Sequence, residues 1–208
     1  MRATLITSTL LVAGLISGAA QAALVDRGGG LIYDTDLDVT WLKDANYAKT
    51  SGYDADGLMT WSEATTWAAN LSYFDAVRNV TYADWRLPTS DTTCGAFNCS
   101  NSEMGHLFYN ELGGTGGQSI LTSGDPDLAK FTNFRNSLYW SGTEYAPDPA
   151  YAFVFDTNYG LQGVGSKYGS TYALAVRPGD VAALPEAQTY ALMLAGLGLV
   201  RWRARRRG

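Results

Sequence analysis

The chain is 208 residues long, 46% hydrophobic and 17% charged, and its 15 basic residues are outnumbered by 20 acidic ones. With the two ends described below set aside, residues 23–183 remain, carrying nine basic and 19 acidic side chains for a net charge of −10. That span can bury one core without many covalent staples, and its negative balance excludes nucleic acid and disfavours heparin-like polyanions as partners.

At the N-terminus Arg2 precedes an apolar run from Leu10 to Ile16 and then Ala20-Gln21-Ala22, with no acidic residue before Asp26. These are the three parts of a secretory signal peptide, so residues 1–22 are expected to be removed by cleavage between Ala22 and Ala23. The domain then opens with GGGLIYDTDLDVTWL, which predicts two short strands, Leu31–Tyr33 and Val39–Leu42, around an Asp-rich turn. Asp34, Asp36 and Asp38 alternate there, and Asp54 and Asp56 precede Gly57, a pattern that invites calcium. Read as an EF-hand loop from Asp34, it has Val39 where the sharp turn needs Gly and Ala45 where a bidentate Glu belongs. An acidic hairpin turn is the better account. No cofactor is expected, and calcium stays the one cation to test.

Thr60 and Glu63 have capping-box spacing ahead of Ala64, Trp67, Ala68 and Leu71, which recur at helical spacing and predict a first helix. Ser100 and Glu103 repeat the spacing before Met104, Leu107, Phe108 and Leu112, and Gly113 supplies the stop of a second helix. On such a helix the chain's single histidine, His106, falls opposite the apolar face and should be solvated. Between the helices stand the only cysteines, Cys94 and Cys99, in CGAFNC. An oxidising compartment lets them close a small disulfide loop, whereas zinc needs more ligands than one histidine and two thiols obviously supply. After a loop rich in Gly, Ser, Asp and Pro the period changes to two: YAFVFD and STYALAVR alternate, the latter with Tyr172, Leu174 and Val176 on one side, and TNYG turns after the former. Strands, then helices, then strands predict an α+β fold.

Catalytic machinery is not evident. A triad needs a base held by a second group and facing a nucleophile, and nothing marks such partners for His106. GGTGGQS lacks the Lys-Ser/Thr pair of a phosphate cradle. The chain is therefore read as a non-enzyme whose remaining resource is aromatic. Trp41, Trp61, Trp67, Trp85 and Trp140 are assigned to the core. Tyr145, Tyr151, Tyr159 and Tyr168 stand near predicted loops and are the binding-surface candidates, because flat aromatic faces stack on sugar rings.

DWRLPTS (Asp84–Ser90), SEMGHLFYNEL, LYWSGTEY (Leu138–Tyr145), AFVFDTNYG and YALAVRPGD (Tyr172–Asp180) follow one another in an order that resembles the Lcl C-terminal domain family, long catalogued as a domain of unknown function. The resemblance spans about Gly30 to Gly179 and implies a variation on the C-type-lectin-like fold: a small antiparallel sheet with two helices, long loops above it and terminal strands brought together. Within the motifs Trp85, Arg86, Leu87 and Pro88, with Tyr139, Trp140 and Ser141, read as scaffold. Pro88 holds Leu87 extended, and the planar fork of Arg86 can bridge carbonyls or a carboxylate. Relatives in adhesins bind sulfated glycans, a ligand that this domain's acidity disfavours. Formylglycine-generating enzymes share the broad lectin-like fold, so an enzyme with reactive cysteines or a bound metal is the alternative that the resemblance implies.

The chain ends in LPEAQTYALMLAGLGLVRWRARRRG: Pro185-Glu186, an apolar run from Tyr190 to Val200, and arginines closing with Arg205, Arg206 and Arg207. The run would make about 16 Å of helix against a hydrocarbon core of about 30 Å, short for a permanent span. Residues 184–208 resemble the PEP-CTERM sorting signal read by an exosortase in Gram-negative bacteria that make extracellular polysaccharide, with Ala187 where the third residue is usually Pro. The resemblance implies transient inner-membrane insertion, an arginine cluster held in the cytoplasm and an exosortase as processing partner. The expectation is an exported cell-surface or matrix protein whose domain, residues 23–183, binds or organises extracellular polysaccharide. A purely structural matrix or envelope module is the remaining alternative.

Overall fold

A computed structural model describes residues 24–181. The signal peptide, its Ala22–Ala23 junction and the sorting tail with Pro185, Glu186, Ala187 and Arg205–Arg207 lie outside the described residues. In chain order the elements are β1 (Leu24–Gly28), β2 (Leu31–Asp34), β3 (Val39–Leu42), α1 (Tyr47–Thr50), α2 (Trp61–Asn70), β4 (Tyr73–Asp75), β5 (Val80–Tyr82) and α3 (Glu103–His106). A π-helical turn, Leu107–Glu111, continues α3; after two 3-10 turns come β6 (Leu138–Glu144), β7 (Tyr151–Asp156), β8 (Leu161–Ser166) and β9 (Val176–Pro178). The fold is α+β and mostly β. Three antiparallel sheets replace the single small one expected: β1-β2-β3-β9, β4-β5 and β6-β7-β8. The first and last strands thus share a sheet, and Arg27 clamps Asp180 with Nε at 2.9 Å and Nη2 at 2.5 Å.

The β2–β3 hairpin forms as its sequence predicts. Asp34 Oδ1 accepts from the backbone N–H of Asp36 (3.1 Å) and Leu37 (3.0 Å), so its carboxylate folds the turn. Asp54 Oδ1 does the same for Asp56 (3.0 Å) and Gly57 (2.6 Å). Helix α2 starts at the predicted capping box: Thr60 Oγ1 accepts from the Glu63 N–H at 3.4 Å, and Glu63 Oε2 accepts from the Thr60 N–H at 2.8 Å.

The second helix departs from expectation. Its cap is Ser102 rather than Ser100: Ser102 Oγ accepts from the Gly105 N–H at 3.0 Å. Glu103 cannot complete a box because its carboxylate is taken by Arg86. After one α turn the ladder widens, and the Leu112 N–H bonds the Leu107 carbonyl at 3.0 Å, five residues back.

Period-two alternation builds a wall between two cores. Leu31, Leu42, Trp140, Val154, Ala173 and Ala175 face the first core, under α2 with Trp67 and Trp85. Ile32, Trp41, Tyr139, Phe155, Leu174 and Val176 face the second, with Met104, Leu107 and Phe108. The STYALAVR segment keeps its alternation, but only Val176–Pro178 of it continues as strand β9; Thr171 and Tyr172 make isolated bridges.

Candidate functional site

The motif residues tie the two cores together. Arg86 places Nη1 2.6 Å from Glu103 Oε2 and Nη2 2.7 Å from Oε1, and Nη1 also donates to the Leu87 carbonyl at 3.1 Å. The Thr89 N–H donates to Glu103 Oε2 at 2.7 Å, so a single carboxylate holds both sides of Pro88 to the start of α3. Trp85 and Leu87 are buried, and Trp85 Nε1 donates to the Tyr82 carbonyl at 3.0 Å. Trp140 Nε1 donates to the Met59 carbonyl at 2.8 Å, and Ser141 Oγ to the Pro88 carbonyl at 2.9 Å. The Tyr139 hydroxyl, whose ionisation burial pushes well above the usual phenol range, accepts from the Arg135 N–H at 2.9 Å. Each of these groups spends its polar atoms on backbone or on one internal ion pair.

Two clefts flank the β6-β7-β8 sheet. One, of about 320 Å³, lies between the first turn of α2 and the end of β8; Thr60, Trp61, Ser62, Lys167 and Tyr168 line it. Lys167 stacks its ammonium 4.1 Å from the Trp61 ring centroid and pairs with Glu144, while Trp61 Nε1 donates to the Ser141 carbonyl at 2.8 Å. Tyr168 on the rim is 86% exposed and free to stack on a ligand. The other cleft, of about 310 Å³, has Tyr145, Phe153, Val164 and Cys94 among its lining residues. Cys94 and Cys99 form the expected disulfide there. Gln162 Nε2 pins the loop to β8 by donating to the Asp91 (2.7 Å) and Cys94 (2.5 Å) carbonyls.

The four predicted tyrosines therefore do not form one surface. Tyr168 and Tyr145 line different clefts; Tyr151, 38% exposed, and Tyr159, 50% exposed, line neither. Trp61 corrects an expectation: the other four domain tryptophans are core, but Trp61 is only partly buried and walls the first cleft. Its place immediately after the capping Thr60, at the exposed first turn of the helix, was the available signal.

His106 is the second correction, since it is 8% exposed rather than solvated. The wheel that placed it outside assumes one buried face, yet α3 and its π turn bury Met104, Gly105, His106, Leu107 and Phe108 consecutively. His106 Nε2 lies 3.2 Å from Glu111 Oε1 and 3.9 Å from Asp36 Oδ2. Its Nδ1 lies 3.2 Å from Asn110 Nδ2, so each ring nitrogen has one polar neighbour, Glu111 at Nε2 and Asn110 at Nδ1. Burial, then the charge of Asp34, pushes the Glu111 carboxyl above its ordinary range despite the His106 hydrogen bond.

Among the described residues no helix is long and apolar enough to cross a membrane. No curated protein matches the chain. The Lcl C-terminal domain family model matches residues 30–177, from the glycine before β2 to the arginine of β9 that binds Asp84 (Nε to Oδ1, 2.8 Å), and the chain belongs to that family.

Proposed function

We propose that the mature protein is a non-enzymatic cell-surface or extracellular-matrix component, exported by its signal peptide and sorted by an exosortase through residues 184–208. Its domain is a variation on the C-type-lectin-like fold that binds extracellular polysaccharide in the Trp61–Lys167–Tyr168 cleft. The observation that carries this reading is the nearly bare Tyr168 ring beside Trp61 and the hydroxyl-bearing Thr60 and Ser62. A sugar ring offers a flat apolar face for such an aromatic and hydroxyls for the polar rim. The disulfide counts against the thiol form of the enzymatic alternative, because it occupies both cysteines; the form with a bound metal is not touched by it.

Affinity electrophoresis of the protein through gels containing neutral or uronate-bearing polysaccharides tests the assignment. Tyr168→Ala should weaken retention about three- to tenfold, the worth of one stacked ring, while Tyr168→Phe keeps it. Because Tyr168 is 86% exposed, the melting temperature should stay put. Unchanged retention in Tyr168→Ala would remove this cleft as the binding site.

A further inference from the structure

Asp34, His106 and Glu111 come from β2, the end of α3 and the end of the π turn, and are 0%, 8% and 5% exposed. Their ligand-capable atoms all lie within 4.8 Å of one another. Two observations separate this cluster from a merely packed histidine. On an α-helix, residues five apart point about 140° away from each other. The π turn, with its hydrogen bond from Leu112 N–H back to Leu107, returns Glu111 to the side of His106. The second observation is charge. Among the described residues Asp34, Asp36 and Glu111 form no ion pair with lysine or arginine, so one imidazole faces two buried carboxylates and a third that is 45% exposed. Buried carboxylates without a cation are costly.

We propose that Asp34, Glu111 and Nε2 of His106 form a site for a divalent transition-metal ion of the zinc type, with Asp36 at its solvent side. One imidazole nitrogen with carboxylate oxygens suits Zn²⁺, whereas Ca²⁺ takes six to eight oxygens and gains little from the ring. Asp34 is already oriented by the Asp36 and Leu37 N–H groups and by Trp41 Nε1, which donates to Oδ2 at 3.3 Å. Donor atoms around a tetrahedral ion sit about 3.3–3.6 Å apart; His106 Nε2 and Glu111 Oε1 are already 3.2 Å apart, and Asp34 lies within 4.8 Å of both. Ligation through Nε2 requires the neutral ring with its one proton on Nδ1. Asn110 can accept it by turning its amide oxygen inward, since the sense of an amide is assigned from its neighbours. Protons compete with the ion for the imidazole and the carboxylates, so affinity should fall as pH drops.

The proposal is independent of the polysaccharide reading and is tested with metal alone. The untagged full chain, stripped by chelator, is titrated calorimetrically with ZnCl₂ and separately with CaCl₂. One Zn²⁺ per chain is expected, with a rise in melting temperature of about 5–10 °C at a hundredfold excess over Kd. His106→Gln and Glu111→Gln should each weaken binding at least about a hundredfold, and Asp36→Asn, on an exposed side chain, about tenfold. Should the buried variants fail to fold, the wild type still decides. His106 is the only histidine, so its ring NMR signals are unambiguous and must move on Zn²⁺ addition. Unmoved ring signals, no 1:1 binding, or undiminished binding by a folded His106→Gln would overturn the site. Equal affinity for Ca²⁺ would overturn the choice of metal.

Discussion

Replacing Arg86 with Gln tests whether the Trp-Arg-Leu-Pro motif is scaffold. The substitution removes two charge-assisted hydrogen bonds, at 2.6 and 2.7 Å, and one bond to the Leu87 carbonyl at 3.1 Å. Glu103, whose side chain is 12% exposed, is left with the Thr89 N–H as its remaining hydrogen bond. Breaking a fully buried ion pair costs about 3–5 kcal/mol, and a surface pair about 0–1 kcal/mol. The Arg86 side chain is 37% exposed, so solvent already screens part of the pair, and about 2–3 kcal/mol is the expected loss. For a domain of this size that corresponds to about 5–10 °C in melting temperature. A cycle with Glu103→Gln should return a coupling of about 1–2 kcal/mol, because removing the carboxylate also removes the group left stranded. Thermal and urea unfolding supply these numbers, and polysaccharide retention is measured on the same samples below their transitions. A shift under about 2 °C, or retention lost while the protein remains folded, would refute the scaffold assignment.

Two more outcomes follow from groups away from the Tyr168 cleft. Asp75 and Arg78, 0% and 6% exposed in their side chains, pair at 2.6 Å. Burial drives the Asp75 carboxyl upward, but Arg78 and the Val77 and Arg78 N–H groups outweigh it and hold it below 3.8. A depressed carboxyl contributes stability that is present above the unfolded value and is lost as pH falls through the folded one. Arg78→Met leaves only the two backbone N–H groups against burial, so its cost should be about 3 kcal/mol at neutral pH and shrink as acid neutralises Asp75; a gap independent of pH in chemical unfolding would contradict this. Replacing Cys94 and Cys99 together with Ser opens a loop of sequence separation five and should cost about 2 kcal/mol. The Gln162 bonds should still seat the loop, so hydrogen exchange ought to rise from Thr92 to Asn98 and not in β6 or β7; exchange spreading through the sheet would mean the disulfide supports more than its loop.

Local chemistry was legible where one segment supplies its own partners. The Asp34 turn, the Thr60/Glu63 box and the Cys94–Cys99 loop each close within a few residues, and all three appear as predicted. Ser100 failed as a cap because the Glu103 N–H donates to the Thr89 carbonyl at 3.1 Å and its carboxylate binds Arg86, 17 residues away, where no spacing rule reaches. Strand β8, LQGVGS, was illegible for another reason: two glycines weaken its β propensity, and the space for Gly165 is set by the distant Trp140, whose ring atoms come within 3.3 Å of where a Cβ would stand.

His106 was misplaced by the assumption that a helix buries a single face. In this chain the β wall divides two cores, so period two reports which core a strand residue enters rather than inside against outside. The segment carrying α3 and the π turn lies within the second core and is covered where a wheel calls it polar, which is how an imidazole and a glutamate come to be buried together. Trp61 is the converse. Its helix presents Ala64, Trp67 and Ala68 to the first core, and the tryptophan one turn earlier, held by Ser141 and Lys167, covers the rim and leaves a cleft. Hydrophobic spacing locates elements in such a fold, but an aromatic at the first position of a helix and a histidine apparently opposite the apolar face are the positions where the third dimension reverses the reading. Those two positions carry the clefts and clusters from which a function can be argued.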